Sequence, residues 1–267
     1  MESCNLSFSK VTSNVGAIIH GINLRTPITP EIGDFLQQMV QDHGVIFLRD
    51  QDLTSDQMKA LAATFGTPAP EPEHPGVTEP VSLGDMHKTK RVTCVWHSDS
   101  TFVAVPPIAT ALRAVQLPPF GGDTCWASMY AAYDALSEPL RSMLDGLTAL
   151  HSKVGALERL PEFYAQDAER IRKIEAIHPV VLVHPQTGRK ALFVNQAWTR
   201  HIVELEPAES AHVLALLFEH VKSQDFSMRW RWSPNDVALW DNRTVQHYAV
   251  PDYDSARVMQ RVVILGE

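Results

Sequence analysis

The chain has 267 residues, 45% hydrophobic and 20% charged, which is enough apolar material for a sizeable core. A net charge of −8 leaves no general basic footprint for nucleic acid, and no run approaches the ~20 apolar residues of a membrane helix. The three cysteines, Cys4, Cys94 and Cys125, form no CxxC pair, and no basic-then-apolar leader opens the chain; both features point to reduced thiols in a cytoplasmic protein.

No repeat, low-complexity tract or Gly/Ser linker divides the sequence, so residues 1–267 are read as one domain. The first punctuated element is a helix. Thr29 can cap it, Pro30 suits its first position, and Ile32, Phe35, Leu36, Met39 and Val40 form one apolar stripe before Gly44 stops it. VIFLRD (45–50) reads as a buried strand, and a shorter helix follows from about Thr54 to Phe65 with Gly66 as its cap. Residues 67–91 are rich in Pro, Glu, His and Gly without a period, as expected of a lid loop.

Strands are predicted at VTCVW (92–96), IATALRAV (108–115) and TCWAS (124–128), then helices near 129–136 and 138–147. Residues 152–178 are polar and aperiodic, a second candidate lid. VVLVH (180–184) and ALFVN (191–195) flank a QTGRK turn as a hairpin, and a helix begins at Glu206-Pro207 and runs to about Lys222. MRWRW (228–232), VALW (237–240) and VMQRVVIL (258–265) complete the strands. Short strands that do not alternate regularly with helices argue for an antiparallel sandwich: mainly β with flanking helices, a double-stranded β-helix or jelly roll.

Within VTCVWHSDSTF (92–102), a strand would point His97 and Asp99 to one face. If they bind a metal, the richest source of a third ligand is LWDNRTVQHYAVPDYDSARVMQR (239–261), which carries His247. Two imidazoles and one carboxylate leave adjacent positions open, which suits Fe(II) chemistry with a co-substrate and O₂, whereas a closed structural zinc site would want a fourth ligand. In RVMQR, Arg257 and Arg261 share a strand face; two inward guanidiniums are costly unless anions meet them. Such a site implies small acidic ligands.

These residues carry a family resemblance. WHSDSTF (96–102), LPPFGGDTCWASMYAAYDAL (117–136), LFVNQAW (192–198), RWRWSPNDVALWDNRTVQHYA (229–249) and RVMQR (257–261), with HGVIFLRDQ from residue 43, resemble the taurine dioxygenase/TfdA-type family of Fe(II)- and 2-oxoglutarate-dependent dioxygenases. A lone HxD is common by chance; HxD, GGDT, WDNRxxQH and RxMxR in this order are specific. The resemblance implies His97, Asp99 and His247 as iron ligands, with 2-oxoglutarate and O₂ as co-substrates. It implies Thr124 as a hydrogen-bonding partner of 2-oxoglutarate near its metal-bound end, Arg257 as the holder of its far carboxylate, and Arg261 as the reader of the substrate's anionic head or, alternatively, a second contact to the 2-oxoglutarate carboxylate. Trp198 and His74 would line the substrate pocket, and Thr93 stands near where taurine enzymes carry an Asn-type side chain. The implied reaction is hydroxylation of a small anionic substrate (aryloxyalkanoate, alkylsulfonate or alkyl sulfate) that ends in oxidative cleavage to a carbonyl product, with succinate and CO₂ released. A homo-oligomer is implied as well. The alternative is a non-catalytic metal- and 2-oxoglutarate-binding sensor of the same fold.

Overall fold

Capping chemistry fixes the first helix where the sequence places it. Thr29 accepts a hydrogen bond from the Ile32 amide, Pro30 occupies the first turn, and the Gly44 amide closes Pro30–His43 on the Val40 carbonyl. The protein is seen here as a computed structural model that describes residues 6–70, 81–82, 94–162 and 164–266. Its strands are β1 (Ser7–Lys10), β2 (Ala17–His20), β3 (Val45–Leu48), β4 (Val81–Ser82), β5 (Ala109–Gln116), β6 (Thr124–Ser128), β7 (Thr148–Ser152), β8 (Glu175–Pro179), β9 (Val181–Val183), β10 (Lys190–Leu192), β11 (Thr199–Ile202), β12 (Ser227–Trp230), β13 (Val237–Asp241), β14 (Val245–Ala249) and β15 (Val258–Ile264). The helices are α1 (Pro30–His43), α2 (Ser55–Ala63), α3 (Met129–Asp134), α4 (Glu138–Leu144), α5 (Val154–Arg159), α6 (Ala168–Ile171) and α7 (Pro207–His220).

A seven-stranded sheet in the order β1-β2-β3-β13-β5-β15-β4 faces a three-stranded sheet, β12-β6-β14, and a second three-stranded sheet, β11-β7-β8, lies alongside a β10-β9 hairpin. Period-2 alternation sorts the large sheet's side chains to its two faces. Ile46, Leu48, Ala111, Val237, Leu239, Val262 and Ile264 point outward beneath α1 and α2, where they meet Leu36, Met39, Met58 and Leu61. Val45, Phe47, Ala114, Ala238, Trp240 and Met259 point inward and pack on Trp126, Met228, Trp230 and Val245 of the small sheet. The result is the jelly roll expected from the sequence, with helices outside. Among the described residues no helix is long and apolar enough to cross a membrane.

Four points of local structure need correction. The part of 92–96 that is described, Cys94–Trp96, is not a strand but a bend leading to a single bridge between His97 and His247. The described residues of the polar stretch 152–178 include α5, α6 and the start of β8. Its apolar anchors, Ala156, Leu157 and Ile171, are too sparse to set a period, yet all are buried. Finally, α2 is capped at Thr64 rather than Gly66, and β14 is a strand that the apolar pattern does not reveal.

Candidate active site

The inner faces of the two sheets and one loop converge on a single point. On β14, Val245 and His247 share the inward parity, and His247 lies opposite Trp126 of β6. On β5, the same alternation turns Thr110 inward opposite Trp240 and Val263. His97 is held to β14 by a reciprocal pair of backbone hydrogen bonds with His247, 3.1 Å and 2.8 Å. The chain then turns sharply, with Ser100 at φ 51, and Ser98 donates to the Val245 carbonyl at 2.9 Å. A tethered turn, and not the face of a strand, therefore brings Asp99 beside His97.

His97 Nε2 and His247 Nε2 each lie 3.8 Å from Asp99 Oδ1, too far for a hydrogen bond. The donor atoms of all three residues fall within 4.8 Å of one another, and His97 and Asp99 are buried. Burial pushes the His247 imidazole down to about 3, and the neighbouring His97 adds to the effect. It lowers His97 as well, so both rings are neutral lone-pair donors near pH 7. Burial also pushes the Asp99 carboxyl up, but His247, Arg261, His97 and the Thr110 hydroxyl outweigh it and hold it below the ordinary range. Two neutral imidazoles facing one carboxylate fit a hard divalent cation of the Fe(II) type.

Supporting contacts orient these donors. His97 Nδ1 meets the Val95 carbonyl at 2.7 Å, which leaves Nε2 as the free lone pair. Thr110 donates to Asp99 Oδ2 at 2.8 Å, Asn242 Nδ2 donates to Thr110 at 3.1 Å, and Trp240 Nε1 donates to Asn242 Oδ1 at 2.8 Å. Sequence reasoning missed Thr110. A hydroxyl between Ala109 and Ala111 at an inward position of β5 was its only signal. Asn242 was quoted within the WDNR motif but given no role.

A second cluster surrounds Arg257, which is 3% exposed. Its Nε donates to the Gly122 carbonyl at 2.9 Å, and Nη2 reaches Thr124 Oγ1 at 3.4 Å. Thr124 also accepts from Trp232 Nε1 at 3.0 Å. Gly122 (φ +71) needs its missing side chain, because a Cβ there would press on the Arg257 Cδ at 3.0 Å. Among the described residues no carboxylate pairs with this guanidinium, and burial lowers its basicity. Arg261 is half-buried and acts electrostatically on all three members of the triad. Trp198 donates from Nε1 to the Ser98 carbonyl at 3.1 Å and stands edge-on to His97 at 6.4 Å and to Phe102 at 4.9 Å. His74 and Thr93 lie outside the described residues.

The structure thus brings together His97, Asp99 and His247, flanks them with Arg261 and Trp198, and places Thr124 and Arg257 against each other. A jelly roll that presents this donor set defines a mononuclear metal oxygenase of the 2-oxoglutarate type. The chain belongs to the family described as "Taurine catabolism dioxygenase TauD, TfdA family", whose profile matches residues 7–263. It is 38% identical, over 100% of its length and 91% of the relative's, to an alpha-ketoglutarate-dependent sulfate ester dioxygenase of Pseudomonas putida. It is 35% identical to an alkylsulfatase of Acinetobacter baylyi, over 98% of this chain and 86% of that protein. A taurine dioxygenase structure from Burkholderia xenovorans superposes with a TM-score of 0.83 at 33% identity, covering 98% of this chain and 91% of that one. AAD-2 in complex with Mn(II) and N-oxalylglycine superposes with a TM-score of 0.85 at 27% identity, covering 98% of both chains. The activity class follows: a 2-oxoglutarate-dependent dioxygenase that uses Fe(II) and O₂. The non-catalytic sensor is not favoured.

Proposed function

We propose that this single-domain dioxygenase oxidises an apolar substrate with an anionic sulfur-oxygen head, a sulfate ester or alkylsulfonate, and releases the head as the hydroxylated carbon collapses to a carbonyl. The observation that carries this reading is Arg261. No described residue hydrogen-bonds or ion-pairs with its guanidinium, although it stands at the metal-ligating triad. A guanidinium fork is shaped for an oxyanion. The apolar wall made by Trp198, Phe102 and Val95 suits a hydrocarbon tail. The names carried by the Pseudomonas and Acinetobacter relatives point to the same head group.

In this reading His97, Asp99 and His247 hold Fe(II). Arg257 receives the far carboxylate of 2-oxoglutarate, the missing counter-ion of a buried cation, and Thr124, expected nearer the metal-bound end, joins it there because its hydroxyl lies 3.4 Å from the guanidinium. Bound Fe(II), with 2-oxoglutarate and O₂, supplies oxidative decarboxylation to succinate and CO₂ coupled to hydroxylation of an unactivated C–H bond. The protein's own residues position and exclude. Arg261 fixes the head so that one carbon faces the triad, and Trp198 and Phe102 shed water from that carbon. For a sulfate ester, the hydroxylated carbon loses hydrogen sulfate and becomes an aldehyde, so no further oxidant is needed. Assembly as a cytoplasmic homo-oligomer is part of the same reading, and light scattering tests the oligomer.

The test is succinate formation with Fe(II), 2-oxoglutarate and O₂ across matched sets of alkyl sulfates, alkylsulfonates, taurine and aryloxyalkanoates. Stimulation by the sulfur-oxygen set, with sulfate or sulfite released in step with succinate, is expected. Preference for aryloxyalkanoates would overturn the assigned head group.

A further inference from the structure

One cation near the site has no role in the reading above. Arg159 closes α5, and its guanidinium lies over the Trp198 ring, 5.0 Å from the centroid. Its Nη1 donates to the Ala197 carbonyl at 3.0 Å. That approach depends on Gly155, whose Cβ, were there one, would collide with the same carbonyl oxygen. The other two nitrogens, Nε and Nη2, are buried and have no hydrogen-bond partner among the described residues. The nearest acid is already occupied: both Glu158 oxygens accept from Arg200, at 2.7 Å and 2.8 Å. Two buried N–H directions without acceptors are expensive in a folded protein, so they are expected to meet a ligand.

The position says which ligand. Trp198 carries the guanidinium over its ring and lies 6.4 Å from the His97 ring, nearly perpendicular to it. The Arg159 charge reaches His97, while Arg261 acts on His97, Asp99 and His247 together. The charges that bear on Arg159 itself come from Glu158, Arg200 and Tyr164. The two guanidiniums therefore bear differently on the triad, and Arg159 rests on the ring of Trp198, which clusters with Phe102.

We propose that Arg159 is a second anion-reading residue of the substrate pocket, which selects substrates carrying a carboxylate or other oxyanion in addition to the Arg261-bound head. Nε and Nη2 donate to that second group, and Trp198 carries the intervening hydrocarbon. This rests on the substrate class proposed above. It narrows the substrate from a simple alkyl sulfate or sulfonate to a bifunctional acid.

Calorimetry on the Mn(II)- and 2-oxoglutarate-loaded protein without O₂ tests it, because binding is then read without turnover. Linear alkanesulfonates are compared with ω-carboxylated alkanesulfonates of equal length. The wild type is expected to bind the ω-carboxylates about 10- to 100-fold more tightly, the effect of charge-assisted hydrogen bonds. Arg159→Met keeps the stem over Trp198 and is expected to lose the preference while retaining affinity for the parent sulfonates; Arg159→Lys is expected to keep part of it. Affinity for 2-oxoglutarate should not change in either variant. Binding of the parent sulfonates without any preference overturns this proposal alone. A preference that survives in Arg159→Met overturns it too. Failure of the wild type to bind either set, or alkyl sulfates of the same lengths, sinks the substrate class and this proposal together.

Discussion

Replacing Thr110 with valine isolates the support of Asp99, the carboxylate proposed to ligate the metal. Thr110 is 0% exposed on β5, and its single hydroxyl donates to Asp99 Oδ2 at 2.8 Å while accepting from Asn242 Nδ2 at 3.1 Å. Valine fills the same volume, so no cavity opens, but two buried polar groups lose their partner at once. Each such loss costs about 1–3 kcal/mol. Part of that falls on apo stability, through Asn242, and part on the metal, through an Asp99 carboxylate that is no longer held in place. Supporting contacts of this kind change metal affinity by about 10- to 100-fold. Thr110→Val is expected to bind Mn(II) that much more weakly in anaerobic calorimetry and to melt earlier without metal, whereas Thr110→Ser, which keeps the hydroxyl, stays near wild-type affinity. A folded Thr110→Val with Mn(II) affinity within about twofold of wild type would refute the orienting role.

Arg257→Gln should raise the KM for 2-oxoglutarate by about 10- to 100-fold, while the apo protein becomes no less stable, because a buried guanidinium without a carboxylate partner is removed; an unchanged KM would contradict the assignment. His151 is buried against Thr101 and His178, and burial pushes it down from 6.5 to about 3. The unfolded chain thus binds a proton that the folded one refuses, so stability is lost as pH falls from about 6.5 toward 3, with a slope of up to about 1.4 kcal/mol per pH unit. Denaturant melts of His151→Gln should show a flatter acid limb, and an unchanged limb would rule this histidine out. Gly121 (φ +69) lies against the Asp252 carbonyl and carboxylate, so Gly121→Ala should cost at least about 1 kcal/mol in urea melts; a neutral result would show that the turn yields.

Much of this architecture was legible because local chemistry and the global fold agree. Thr29, Pro30 and Gly44 bound α1 as their residue types require, and the inward and outward parity of VIFL and VALW matches the two cores. The clustering of His97, Asp99 and His247 was legible for a different reason: HxD, WDNRxxQH and RxMxR place costly polar groups where a core would otherwise be apolar. What escaped is where polar side chains occupy buried strand positions. In β14, Gln246 spends its amide on the Val194 carbonyl and His247 faces the triad, so no apolar alternation remains to be read. In β8, His178 is buried and bonds the Val103 carbonyl, which made that stretch look like a solvated lid. The pairing of His97 with Asp99 was anticipated, but through the wrong geometry. A strand face was expected, and a tethered turn does the work. Arg159 carried no sequence signal at all, since only the fold of α5 against Ala197 sets it over Trp198.

The central claim is that His97, Asp99 and His247 form the metal centre on which 2-oxoglutarate binding depends. Anaerobic metal analysis after Fe(II) loading, followed by 2-oxoglutarate calorimetry on the same samples, tests it most directly. The expected result is one Fe(II) per wild-type chain and 2-oxoglutarate binding that requires the metal, with both lost in Asp99→Ala and His247→Ala proteins that retain wild-type circular dichroism. Stoichiometric Fe(II) of unchanged affinity in either folded variant would place the metal elsewhere and contradict the assignment.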